Sequence, residues 1–173
     1  MASIVGFPDP VNEVSARVVA AGVAVLGLAT IVLDQPWLTA VIAYGFVARV
    51  FTGPTLSPLG QLATRVVTPR LGVKARFVPG PPKRFAQGIG ATVSVAAAVL
   101  ALGAGLEGAA YVVLGVVVVA AGLEAVAGFC VGCHIFALLM PAGVVPAEAC
   151  ERCRDLGFGG RPGGTGHVPT TAC

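Results

Sequence analysis

Two cysteines separated by two residues and followed by a histidine, Cys130-Val-Gly-Cys133-His134, lie inside an otherwise apolar run. That spacing fits three chemistries: covalent haem attachment, a thioredoxin-like dithiol, and half of a zinc site. On one helical turn a Cys-x-x-Cys brings its sulfurs close enough for a strained, readily reducible disulfide. A helix starting near Gly128, together with His134, would lower the pKa of Cys130 and raise its thiolate fraction. Glu124 precedes Cys130 by six residues. A carboxylate inside an apolar segment is costly, and such groups face a bundle interior, relay protons or pair with a partner. These types assign Cys130 as attacking thiolate, Cys133 as resolving thiol and Glu124 as proton acceptor. The plainer alternatives are two small thiols filling a bundle end and a carboxylate snorkelling to the interface. On a straight helix Glu124 and Cys130 point to different faces, so a bend must bring them together.

Residues 146–173 carry a second pair, Cys150-Glu-Arg-Cys153, with His167 and Cys173. The two pairs read Cys-x2-Cys-x16-Cys-x2-Cys, within the range for a four-thiolate zinc site. Alternatively Cys150, Cys153, His167 and Cys173 form a ligand set by themselves. This Gly-rich stretch has no core of its own, so either a metal orders it or its thiols stay reduced in a disordered tail.

The elements that position these residues follow from composition. Hydrophobic residues make up 56% of the 173 and charged ones 11%, against roughly a quarter charged in soluble domains. This predicts an all-α integral membrane protein over residues 1–145. Spans are expected at 14–33, 36–51, 85–106 and 109–129, an antiparallel four-helix transmembrane bundle with tight turns at "DQP" and "EG". Asn12 is the expected N-cap of the first helix. Arg17 should snorkel to the headgroups, and Trp37 and Arg49 should anchor opposite ends of the second span. No Lys or Arg precedes the first apolar run and no small-x-small site follows it, so that run is expected to be retained. Between spans two and three, residues 57–67 predict an amphipathic interfacial helix. It has Ser57 as N-cap, Leu59, Leu62, Ala63 and Val66 on the apolar stripe, and Gln61, Thr64 and Arg65 toward water. Thr68-Pro69 should stop it, leaving a basic, Pro-rich connector. Small residues at Ala20, Ala24, Gly27, Gly90, Ser94, Gly115 and Gly122 offer close-approach faces.

From Arg49 to Arg84 there are seven basic residues and no acidic one. Lys and Arg in short connectors stay cytoplasmic, which puts both termini and this loop on the cytoplasmic side of a bacterial inner membrane. Attraction to anionic lipid headgroups accounts for the basic loop, and without interleaved aromatics it does not read as a nucleic-acid surface. Cys130 comes 21 residues after Ala109, about 32 Å along a helix, about one hydrocarbon thickness. The dithiol is therefore expected at the cytoplasmic surface, with a bend near Gly128 or Gly132 returning residues 134–140 to the bundle. Covalent haem attachment occurs on the opposite side, and packed helix leaves it neither room nor axial ligand, so haem is disfavoured. Glu107 is expected as a solvated turn residue.

The stretches "VNEVSARVVA", "SPLGQLATRVVTPRLG", "PPKRFAQGIG" and "EAVAGFCVGC" resemble a family of small bacterial membrane proteins catalogued as domain of unknown function 4395 (DUF4395), over roughly residues 11–140. The resemblance implies the membrane fold and the Cys130/Cys133 pair, and no particular reaction. Some members occur beside thioredoxin-like or sulfurtransferase proteins, which favours thiol or sulfur chemistry. The expected function is a membrane-bound thiol-disulfide redox protein, passing electrons between a thioredoxin-like or sulfurtransferase partner and either Cys150/Cys153 or a quinone in the bilayer. No residue marks a quinone site in the sequence. The alternative is a non-catalytic accessory or scaffold subunit of a larger membrane assembly, with structural or zinc-binding cysteines.

Overall fold

The computed structural model describes residues 8–74 and 76–140. The zinc ligands expected at Cys150, Cys153, His167 and Cys173 lie outside these residues. Those described are mostly helical. A two-residue strand β1 (Val11–Asn12) leads into α1 (Glu13–Val32) and α2 (Leu38–Thr52). Next comes α3 (Pro58–Gln61), which continues through a π-helical turn (Leu62–Val67) into α4 (Thr68–Leu71). Strand β2 (Phe77–Val78) pairs antiparallel with β1. Helix α5 (Gly80–Ala98) ends in a π-helical turn (Val99–Gly103), and α6 (Glu107–Ala127) and α7 (Val131–Leu139) follow.

Helices α1, α2, α5 and α6 close a ring in which each packs on two others, with α1 on α6 and α2 on α5 the most extensive contacts. Hydrogen bonds fix the directions. Arg17, early in α1, reaches the end of α6, while Tyr111, early in α6, reaches Asp34 beyond the end of α1. These two helices are therefore antiparallel. Arg49, late in α2, meets Gln87, early in α5, which makes that pair antiparallel too. The core joins Val19, Val23, Ile42, Phe46, Ala97, Leu114, Val117 and Ala121. The outward faces are also apolar, with Val25, Leu28, Val112, Val119 and Val126 all exposed. Helices apolar all round are what a hydrocarbon surrounding requires. Three helical stretches, Glu13–Val32, Gly80–Gly103 and Glu107–Ala127, are long and apolar enough to cross a membrane. Helix α2 has 15 residues, about 22 Å, short of the roughly 30 Å hydrocarbon layer.

Both expected N-caps are present: Asn12 accepts from Val14 N–H at 3.0 Å and Ser57 from Gly60 N–H at 3.2 Å. The segment after Ser57 differs from the expected amphipathic helix. It contains a π-turn, and the helical stretch does not stop at Thr68-Pro69 but passes Pro69 and ends at Gly72. A proline lacks an N–H to satisfy, and directly after a π-turn it sits as at the start of a new helix. The basic connector is shorter than expected because α5 begins at Gly80, with Pro81 and Pro82 in its first turn. There the missing N–H groups have no intrahelical partner anyway. Gly27 packs on Val118 and Gly90 on the Phe46 ring, whereas Gly115 and Gly122 face open space.

Helix α6 stops at Gly128, whose φ of 68° is left-handed and whose N–H returns to the Glu124 carbonyl at 3.0 Å. Only glycine adopts that conformation without strain. Helix α7 then folds back against α5, where Phe136 meets Phe85 with ring centroids 5.5 Å apart. Gly132 permits this approach: a Cβ there would lie 2.5 Å from Ala86 Cβ and 2.6 Å from Ala86 Cα. Backbone cannot yield that distance cheaply, so Gly132→Val is expected to lift α7 from α5. The check is maleimide labelling of Cys133, buried in the wild type and expected to label several-fold faster in the variant.

Candidate functional site

The reversal at Gly128 makes Cys130 the N-cap of α7 and puts Cys133 one turn along it. Both are buried, at 6% and 4% exposure. The Cys133 thiol donates to the Cys130 sulfur, with the Sγ atoms 2.6 Å apart. This hydrogen bond, helped by the Lys83 ammonium and opposed by burial, holds the Cys130 thiol below its ordinary pKa. Cys133 moves the opposite way, because its proton is held in the shared bond and burial disfavours its charge. The two thiols are thus made unlike by their shared hydrogen bond. His134 is placed differently from expectation. Its Nδ1 lies 2.9 Å from the Cys130 carbonyl oxygen and its ring stacks on Phe129 at 4.1 Å, so it engages the backbone and not the thiol.

Beneath the dithiol, Lys83 of α5 donates to Glu124 Oε1 of α6 at 2.5 Å, with side-chain exposures of only 9% and 15%. Glu124 is therefore neither snorkelling nor alone. The bend brings it and Cys130 to one interior cavity of about 270 Å³, which Arg49 and Gln87 also line. A smaller outward cavity of about 200 Å³ is lined by Cys130, Cys133, His134, Lys83 and Arg76. Cys130 thus lines both cavities, and Cys133 lines the second.

Two arginines expected near the headgroups are structural parts of this end of the bundle. Arg49, 5% exposed, donates from Nε to Gln87 Oε1 at 2.9 Å and from Nη1 to Ser57 Oγ at 3.1 Å. Its guanidinium carbon also lies 4.5 Å from the Phe46 ring centroid. Arg17 donates to the carbonyls of Ala125 and Val126, satisfying the last turn of α6 where helix acceptors have no partner. Sequence reasoning missed Lys83, Arg49 and Gln87 as site residues. A signal for Lys83 existed, since a carboxylate in an apolar span calls for a cation and "PPKRFAQ" enters α5 at the matching end. Among the described residues no group of three or more His, Cys, Asp or Glu side chains is placed to hold a metal ion.

The fold and site define a helical protein with a buried dithiol over an internal ion pair. The chain belongs to the DUF4395 family, a domain of unknown function whose model matches residues 11–141. No curated protein and no solved structure matches the chain.

Removing one member of a buried ion pair leaves an uncompensated charge, at a cost of about 3–5 kcal/mol. Lys83→Met and Glu124→Leu are each expected to destabilise by about that much, and the double variant to recover most of it, measured by thermal unfolding in detergent. Because the Cys130 pKa is lowered and that of Cys133 raised, the Cys130 thiolate persists as pH falls below about 8.5 while Cys133 stays protonated. Iodoacetamide titrated across pH is expected to modify Cys130 first at every pH, as read by peptide mass mapping.

Proposed function

We propose that the chain is an integral membrane thiol-disulfide redox protein, with Cys130 and Cys133 as its working couple. The observation that carries this reading is the pair's placement: two sulfurs 2.6 Å apart at a helix N-terminus, beside a buried Lys83–Glu124 pair. In the reaction the Cys130 thiolate attacks a partner's disulfide, forming a mixed disulfide and releasing one partner sulfur as thiolate. Cys133, losing its proton toward the Glu124 carboxylate, attacks the Cys130 sulfur. The Cys130–Cys133 bond forms, the second partner thiol leaves, and the partner is reduced by two electrons. The same steps run backward when the partner is the reductant.

Apolar outward faces support insertion as a four-span bundle in a lipid bilayer, with α2 as the shortest span. The basic loop supports an arrangement with this loop, the dithiol and both termini on the cytoplasmic side of a bacterial inner membrane. There the outward cavity, with exposed Arg76 and buried Lys83 in its lining, would face a thioredoxin-like or sulfurtransferase partner. Burial of both thiols favours one second reading, a scaffold subunit of a larger membrane assembly in which the cysteines only pack.

Acid-quenched alkylation of the protein in cells separates the two. The redox reading expects a Cys130–Cys133 disulfide whose fraction moves with the redox state of the cell. It also expects Cys133→Ser to fold normally while losing that cycle. Thiols that stay reduced under oxidant challenge, with Cys133→Ser losing assembly, would establish the packing role instead.

A further inference from the structure

We propose that the interior cavity is a binding site for a quinone-class, lipid-soluble two-electron acceptor, to which Cys130 and Cys133 deliver their electrons. The proposal rests on the dithiol reading above and names the oxidant of that same site. Three observations carry it. The cavity holds about 270 Å³, roughly nine times the ~30 Å³ share of one liquid water, which suits a substituted six-membered ring. Its walls are mostly apolar, while Cys130, Arg49, Gln87 and Glu124 line it as its reactive and polar groups. An apolar pocket with a few convergent polar groups is the form that orients such a ligand. Finally, Val116 and Ile135 line the cavity and are also exposed on the outer surface, at 62% and 39%. An apolar tail can therefore remain outside among the lipids while the ring enters.

Donors for a ring oxygen are present. Gln87 accepts from Arg49 through Oε1, which leaves its amide N–H groups to donate, and the guanidinium has five N–H groups in all. The electrons balance as follows. The Cys130 thiolate adds to a ring carbon, and Cys133 then attacks the Cys130 sulfur. The S–S bond forms as the C–S bond breaks, and the electron pair stays on the ring. The two thiol protons end on the two ring oxygens, one of them through Glu124. The dithiol becomes a disulfide and the quinone a hydroquinone.

The test uses the full chain, reduced, in detergent micelles with a decyl-tailed benzoquinone, read by loss of the oxidised quinone's absorbance. One quinone is expected to be consumed per dithiol. Val116→Trp at the rim and Ala120→Leu in the wall are expected to slow this by about tenfold, the scale of a modest overpacking cost. Both variants should still form and lose the disulfide in dithiothreitol buffers. An azide-bearing quinone should photolabel residues of α5 and α6 around the cavity in the wild type, a result that needs no variant to fold. A wild-type protein that cycles in dithiothreitol but consumes no quinone overturns the proposal and leaves the dithiol reading standing. Equal quinone rates in both variants, or photolabel placed elsewhere, overturn it as well and leave a lipid acyl chain as the occupant. Failure to cycle even in dithiothreitol overturns the dithiol reading itself.

Discussion

A carboxylate and an ammonium buried against each other at one end of an apolar bundle set the terms for everything around them. Neither Lys83 nor Glu124 could be held in place alone, since an isolated charge taken from water carries a penalty of several kcal/mol. Together they bind α5 to α6 at the point where the chain must turn into α7. The cations nearby obey the same constraint. Arg49 is met by Gln87, Ser57 and the Phe46 face, and Arg17 by two free carbonyls. Among the described residues no buried side-chain nitrogen or oxygen lacks a hydrogen-bond partner, as burial away from water demands.

The dithiol depends on that arrangement. Gly128 reverses the chain, Gly132 lets α7 approach Ala86, and the sulfurs arrive above the ion pair with Cys130 lining two cavities. The lysine that neutralises Glu124 also favours the Cys130 thiolate. Structural and chemical roles fall on one side chain because a single positive charge serves both neighbours.

Much of the helical plan was legible from residue types alone. Asn12 and Ser57 are caps, Gly128 is the bend, and long apolar runs gave α1 and α6 nearly at their observed limits, while α5 begins five residues before its expected start. What escaped was whatever depends on partners distant in sequence. A strand of two residues has no periodicity to detect, so β1 and β2 were invisible. A π-turn leaves no compositional mark, so the continuation of the helical stretch past Pro69 went unseen. Arg49 stands where a surface anchor would stand, and nothing local distinguishes a cation that reaches headgroups from one that turns inward. Gly115 and Gly122 looked like contact residues because sequence gives small size but not facing.

The bond between Arg17 and the end of α6 joins residues 108 positions apart. Closing so long a loop is among the slowest kinds of contact a chain forms. During synthesis α1 emerges early, and its guanidinium waits for the carbonyls of the last long helix. The turn at Gly128 and the cysteines beyond it acquire their final setting only after nearly the whole helical region has left the ribosome. Newly made protein therefore passes through a stage in which the thiols exist but neither their burial nor their electrostatic surroundings do.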